Sequence, residues 1–521
     1  MTPTPRMTSF RPRAWPRRVL PALAAAALIA GRHPLAHAQS PDWAAFDRYV
    51  SQAARDWRVP ALAIAVVKDD SVVFLKAYGV LENGTTRRAD EHTRFAIGST
   101  TKAMTTASLA MLVDEGKLRW DDRVTKYIPE LELSDPWATR ELTIRDLLTH
   151  RTGLPGTDLF WARPSWHYTT AEVIRRLRYI KPTASFRSEW QYQNVMYSLA
   201  GTIIERVSGM PWEAFVRARI FAPLGMTETE PLVSAIVGKP NVAVPHALIN
   251  DSVTVVPIRS TDGVASAGSV WSSVSDMSKW MRFMLDSGRV GSKRLIAPAT
   301  FREIIAPQIR APMSEYPALE LARPDFFSYG FGWFIQDYRG QHVWMHTGSI
   351  DGMCALIGLM PNERVGVYVL ENLDHAELRH ALMYSVFDLY NGGRSRDWSS
   401  DLKALFASRA GAARTAATNA PGAARAPAPP SLPLERYAGT YVDSAYGEVR
   451  VSFANGALSA AVVNGVAEPL EAVRFDTFRT KPSAATDDAV TLIFMPDGSG
   501  AVASVRVSGV TFMRTRERGG S

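Results

Sequence analysis

Cysteine is nearly absent: Cys354 is the only one in 521 residues. A lone thiol excludes an intrachain disulfide and any cysteine-based metal cluster, so packing must hold the fold together. A large domain with an adequate core needs no disulfide, and the count is therefore compatible with export. A membrane-length apolar run is missing as well. The N-terminal run over residues 19–30 is about a dozen residues long, short of the ~20 that cross a bilayer. There is no phosphate loop, dinucleotide fingerprint or HExxH pair, so neither a cofactor nor a metal is expected. No internal repeat is evident.

What is present near the N-terminus reads as targeting. Arg6, Arg11, Arg13, Arg17 and Arg18 precede the apolar run, and Ala36-His37-Ala38 offers small residues where a signal peptidase reads. Residues 1–38 are thus expected to be a cleaved signal, with the mature protein periplasmic or secreted and without an integral membrane span. The Arg17-Arg18 pair leaves Sec and twin-arginine export both open. The chain carries 59 basic and 51 acidic residues, net +8. Removing the six arginines of that segment, which has no acid, leaves 53 bases against 51 acids, or +2. The basicity belongs to targeting, and no nucleic-acid partner is expected.

A chain of this length exceeds the ~250 to 300 residues at which single cores stop growing, so two folded units are expected. The break lies in SRAGAARTAATNAPGAARAPAPP, from Ser408 to Pro430, which has almost no large apolar residue. The expected division is a catalytic unit over 39–405, an Ala/Pro-rich linker over 406–431 and a small unit over 432–521. In the large unit, apolar and β-branched runs around Lys68-Asp69-Asp70-Ser71 read as a hairpin, and 353–360 and 365–371 read as neighbouring strands. Helical patterns lie between them, at 99–116, 171–180, 195–208 and 275–286. The economical solution is an α+β or α/β sandwich with the first and last strands in one sheet. In the small unit Tyr441, Val449, Val451, Phe453, Leu458, Val462, Leu492, Phe494, Val505 and Val507 fall in short alternating runs, which reads as a small antiparallel barrel or sandwich.

Ser99 stands at the start of a helical pattern with Leu109, Leu112 and Val113 on one side, and Lys102 follows at i+3, on the same face. A lysine can take the serine proton only if desolvation or nearby charge keeps its amine neutral below its free pKa of ~10.4. Taken alone, Ser99 reads more readily as a helix N-cap. Two further elements follow in order: Tyr192-Gln193-Asn194 before the helical pattern at 195–208, and His346-Thr347-Gly348 before the late strands. Of ten histidines only His346 has glycine two residues on.

With STTK at 99, YQN at 192 and HTG at 346, the sequence resembles the serine β-lactamase and penicillin-binding hydrolase superfamily, in particular its class C β-lactamase, DD-peptidase and family VIII esterase branch. LTIRDLLTHRTGLPG from Leu142, YGFGW from Tyr329 and GSVWSSVSDMSKWM from Gly268 support the match, which covers residues 40–395. The resemblance implies an α/β sandwich of the β-lactamase/DD-peptidase type, an antiparallel sheet with helices on both faces plus a helical region. The C-terminal unit resembles the lipocalin-like barrel that follows this domain in some members. Carried over by residue, Ser99 would attack a carbonyl while Lys102 and Tyr192 share its proton, either being the base. Asn194 would hold the substrate amide or Lys102, and the Ser99 and Ser349 amides would form the oxyanion hole. His346, Thr347 and Gly348 would bind substrate. His346 replaces the commoner lysine, and no KTG occurs in the chain. Histidine is fully charged only below about its free pKa of ~6.5, which argues against an efficient β-lactamase.

The resemblance implies an acyl-enzyme hydrolase of small-molecule or peptide substrates. A D-amino-acid or peptidoglycan-type peptidase leads, with a carboxylesterase, a weak β-lactamase and a non-hydrolytic penicillin-recognising sensor as alternatives. His150 and Asp276 read as structural. Trp161, Trp166, Phe326, Phe327 and Trp333 read equally as cleft lining or core.

Overall fold

The computed structural model describes residues 41–161, 168–393, 396–419, 428–463, 465–481 and 489–515. The expected signal segment and Trp166 lie outside the described residues. Eight strands form the main sheet: β1 (Ala61–Lys68), β2 (Ser71–Gly79), β3 (Ile309–Arg310), β4 (Phe327–Tyr329), β5 (Phe334–Tyr338), β6 (Gln341–Ile350), β7 (Met353–Met360) and β8 (Val365–Glu371). Their order is β2-β1-β8-β7-β6-β5-β4-β3, with every neighbouring pair antiparallel. The first and last strands therefore share one sheet, as expected, and within it they pair.

Both faces of the sheet are covered, which is why β7 and β8 are buried throughout and, save for Glu371, do not alternate with charged or strongly polar residues. The covering helices are α1 (Trp43–Asp56), α2 (Thr101–Asp114), α3 (Asn194–Ser208), α4 (Val274–Leu285), α5 (Leu378–Tyr390) and α6 (Trp398–Asn419). Strand alternation sends Leu62, Ile64 and Val66 to the core shared with α1 and α5. Ala61, Ala63, Ala65 and Val67 face the core shared with α2, α3 and α4. The expected helices recur close to their sequence-based bounds, that at 99–116 as a 3₁₀ turn at Gly98–Thr100 followed by α2.

The segment expected to be linker departs from its reading in part. Helix α6 continues through residues 406–419. Low apolar content argues against tertiary burial, but alanine has the highest helix propensity, so local structure persists where packing is sparse.

The C-terminal unit is a closed barrel of β9 (Gly439–Asp443), β10 (Gly447–Ala454), β11 (Ala457–Val462), β12 (Glu468–Arg474), β13 (Thr477–Thr480), β14 (Thr491–Pro496), β15 (Val502–Val507) and β16 (Val510–Arg514). Tyr437, Tyr441, Phe478, Phe494 and Phe512 are buried in its core. Eight strands enclose a space just wide enough for side chains to fill, and here they do. The barrel docks through Tyr446, whose ring lies 4.7 Å from that of Phe160. The Tyr168 hydroxyl donates to the Tyr446 carbonyl (2.8 Å) and Arg176 to that of Ala445 (2.9 Å). Among the described residues no helix is long and apolar enough to cross a membrane.

Candidate active site

The turn carrying Ser99 lies against β6, and two glycines permit the approach. A Cβ on Gly98, which has φ +51°, would sit 2.7 Å from the Ser349 nitrogen. One on Gly348 would fall 1.9 Å from the Ile97 carbonyl oxygen and 3.1 Å from the Ser99 nitrogen. Any side chain at either position would push the two backbones apart. The close contact sets the Ser349 nitrogen against Gly98 and the Ser99 nitrogen against Gly348.

Lys102, in the first turn of α2, is fully buried. Its Nζ lies 2.9 Å from Ser99 Oγ, 2.6 Å from Asn194 Oδ1 and 2.9 Å from the Ala267 carbonyl oxygen. Burial pushes the amine down to about 7, with Asp158 pulling the other way. A neutral amine has two N–H groups and one lone pair. Asn194 Oδ1 and the Ala267 carbonyl can only accept. In the neutral form the lone pair is therefore left for the Ser99 hydroxyl, the one partner able to donate.

Tyr192 comes from the strand-like segment before α3. Its ring centroid is 4.8 Å from Lys102 Nζ. Burial holds the phenol well above its usual pKa, with Ser99 pulling the other way, so it is a neutral donor. His150 supports this segment from below. It sits at φ +56° in a turn secured by buried Asp146, which pairs with Arg151 and Arg187 at 2.6 Å each. Its Nδ1 accepts from the Gln193 amide (3.0 Å), and its ring lies 4.4 Å from that of Tyr192. Gln193 Nε2 in turn donates to the Leu154 carbonyl (2.5 Å), holding the loop that leads to Asp158. Asn194 Nδ2 donates to Asp158 Oδ1 at 3.1 Å, completing a chain Ser99–Lys102–Asn194–Asp158. Asp276 is buried and accepts from the Glu228 amide and the Thr229 hydroxyl, a structural use.

His346, expected to bind substrate, is buried beside Tyr329 and Phe334. Burial, then the Lys102 charge, pushes its pKa down to about 3. Nδ1 faces the Thr347 carbonyl (2.6 Å) and Nε2 the Tyr329 hydroxyl (2.9 Å), so both ring nitrogens are engaged inside the protein. It is neutral and does not line the cleft. Thr347 is buried with its hydroxyl 2.8 Å from that of Tyr316, and the Gly348 carbonyl accepts from Arg379. Ser99, Asn194 and Ser349 do line the cleft.

That cleft holds about 630 Å³ and has walls from both units. Val490, Thr491 and Ser508 of the barrel face the same space as Ser99. Asp158, Asp351, Asp374 and Arg259 are charged residues of its lining, with Arg259 paired to Asp351 at 2.9 Å. Trp161 lines the cleft, whereas Phe327 and Trp333 are buried in the cores and Phe326 packs against one. Sequence reasoning missed Asp158, Arg259 and the barrel residues. Only the Pro155–Asp158 loop next to a recognised motif offered a signal for the first. Among the described residues no group of three or more His, Cys, Asp or Glu side chains is placed to hold a metal.

Residues 46–389 match the family described as Beta-lactamase. The chain belongs to that family. It is a serine hydrolase with the β-lactamase/penicillin-binding-protein type of fold. Residues 423–519 match a Domain of unknown function (DUF3471). This Beta-lactamase family member is 30% identical over 443 residues to the unguisins hydrolase ungD of Aspergillus violaceofuscus, covering 80% of this chain and 78% of that one. It is 23% identical over 330 residues to the Protein flp of Staphylococcus aureus, covering 63% and 62%. The octameric penicillin-binding protein homologue from Pyrococcus abyssi superposes with a TM-score of 0.61 at 21% identity, over 91% of this chain and 100% of that one. The D-stereospecific amidohydrolase from Streptomyces gives 0.52 at 24% identity, over 64% and 95%.

Proposed function

We propose that this chain is an exported hydrolase that cleaves an amide through a covalent Ser99 acyl-enzyme, with a D-amino-acid or peptidoglycan-type peptide as substrate. The observation that carries the reading is the buried Lys102 amine, pushed down to about 7 and directed at Ser99 Oγ by two acceptor-only oxygens. Neutral Lys102 takes the hydroxyl proton as Ser99 Oγ bonds to the carbonyl carbon. Negative charge develops on the carbonyl oxygen between the Ser99 and Ser349 amides. When the C–N bond breaks, neutral Tyr192 donates its proton to the leaving nitrogen and regains one from Lys102. Water then attacks the acyl-enzyme by the same route in reverse, releasing acid and restoring Ser99. The base is thus Lys102, and Tyr192 is the relay.

Substrate charge is the point at which the cleft discriminates. With His346 neutral and Arg259 paired to Asp351, while Asp158 and Asp374 face the same space, a substrate carboxylate finds little to balance it. This favours uncharged amides, such as D-aminoacyl amides or internal peptide bonds, over penicillins and C-terminal carboxylates. The same neutrality favours a second reading, a carboxylesterase of the family VIII type. The name of the unguisins hydrolase relative supports turnover over a sensor role.

Labelling purified protein with a fluorophosphonate and a fluorescent penicillin tests the acyl-enzyme: an adduct on Ser99 is expected, and none with either probe sinks it. D-aminoacyl amides, D-Ala-D-Ala peptides, nitrophenyl esters and a cephalosporin, assayed on one sample with Ser99→Ala as blank, separate the substrate classes. Export predicts that the mature protein begins at Gln39, which N-terminal sequencing reads.

A further inference from the structure

Behind the strand segment that meets Ser99 lies a buried guanidinium for which the mechanism above has no use. Arg379, at the start of α5, is 3% exposed. Its Nη1 donates to the Gly348 carbonyl at 2.7 Å, to Ser349 Oγ at 3.0 Å and to the Ala355 carbonyl at 3.2 Å. Its Nη2 donates to Glu377 Oε1 at 2.8 Å, and Glu377 Oε2 meets His380 Nδ1 at 2.7 Å. Burial disfavours the charge on Arg379, but its neighbours, Glu377 first among them, together more than offset this. Burial pushes the carboxyl of Glu371, also nearby, well above its usual range. Arg379 and Glu377 thus form a buried ion pair where an apolar pair would be less costly to fold.

The geometry of a peptide unit gives this expense a consequence. Gly348 C=O and Ser349 N–H belong to one planar trans peptide and point in opposite directions. A carbonyl fixed on Arg379 sends the N–H away from α5, toward the side where Gly98 and Ser99 pack and where Ser349 lines the cleft. A charged donor on the carbonyl also polarises the peptide, strengthening the N–H as a donor.

We propose that Arg379 is a positioning residue for acyl transfer: by holding the Gly348 carbonyl it orients and polarises the Ser349 amide that receives the oxyanion. The inference rests on the Ser99 acyl-enzyme reading. It is a claim about the transition state, since a ground-state carbonyl carries little charge for that amide to stabilise.

The test compares Arg379→Met and Arg379→Lys with wild type, with kcat expressed per fluorophosphonate-titrated Ser99 and melting temperature followed in parallel. Removing one oxyanion donor outright costs ~10²- to 10³-fold in kcat, so mispositioning it in Arg379→Met is expected to cost about 10²-fold. KM should stay within about threefold, the split that marks an interaction made only in the transition state. A boronic acid, whose tetrahedral adduct places an oxygen where the oxyanion forms, should weaken in step with kcat. Arg379→Lys keeps a cation and should recover about tenfold of the loss. Wild-type kcat per titrated serine in Arg379→Met overturns the proposal, as does a rise in KM with kcat unchanged. If Arg379→Met does not fold, Arg379→Lys decides alone: kcat equal to wild type overturns it. Failure of the acyl-enzyme reading shows separately, as undiminished turnover in Ser99→Ala.

Discussion

Helix α2 and strand β6 each carry one buried basic side chain close to the Tyr192 ring, and the two end in opposite chemical states of use. Lys102 and His346 are 0% and 1% exposed, and burial is the first cause of the lowered basicity of both. They differ in what surrounds the lone pair. At His346 the Thr347 carbonyl can only accept, so Nδ1 carries the proton and Nε2 takes the Tyr329 hydroxyl. Its basic site is already filled. At Lys102 the acceptor-only oxygens use up the N–H groups, and the lone pair is left facing Ser99. Desolvation supplies a neutral amine, and the neighbouring oxygens decide whether it can act as a base.

The largest expected effects break or keep that contrast. Lys102→Met should cost about 10³-fold in kcat and Tyr192→Phe at least about 10²-fold, within the range for losing general acid–base help. His346→Gln, which retains a donor and an acceptor, should cost less than about tenfold. Steady-state kinetics on the best amide substrate reads all three. A His346→Gln loss as large as that of Lys102→Met would mean that the histidine takes part in proton transfer.

A pH profile sharpens the same contrast. Lys102 must be unprotonated to act, and burial places it at about 7, so kcat/KM should rise with pH through an acid limb near 7. Asp158 favours the ammonium form. Asp158→Asn removes that charge while leaving an oxygen for Asn194, so Lys102 loses its proton more readily and the limb moves to lower pH. His346→Gln should leave the limb in place. Movement of the limb upward in Asp158→Asn would reverse the sign and argue against Lys102 as the titrating group.

The strands of the sheet were readable because continuous apolar runs bounded by turn residues admit few alternatives, as at 353–360 and 365–371, which are strands to the residue. The Ser99–Lys102 juxtaposition was readable because it is local, one helical turn. The state of His346 was not, because the motif places its backbone while Tyr329, seventeen residues earlier, and the turn of its own side chain set its hydrogen bonds. Arg379 was invisible for a similar reason: a charged residue at a helix start reads as surface, and its burial depends on β6 and β7 arriving beside α5. The cleft wall was least accessible, since Thr491 and Ser508 acquire meaning only when the barrel docks through Tyr446 onto Phe160 and Tyr168.

That docking carries the smallest expected effect. Thr491 is exposed at the edge of β14 yet faces the cleft that contains Ser99, so a large side chain there narrows the substrate space without touching the hydrogen bonds around Lys102. Thr491→Trp should lower kcat/KM for bulky acyl donors by about tenfold, the scale of a poor fit in a pocket, and leave a small nitrophenyl acetate nearly unchanged. Such a split would assign the barrel a part in substrate selection, distinct from the chemistry carried by Lys102. Equal loss on both substrates would instead mean that the substitution disturbs the site itself, and no change on either would remove the barrel wall from the substrate's path.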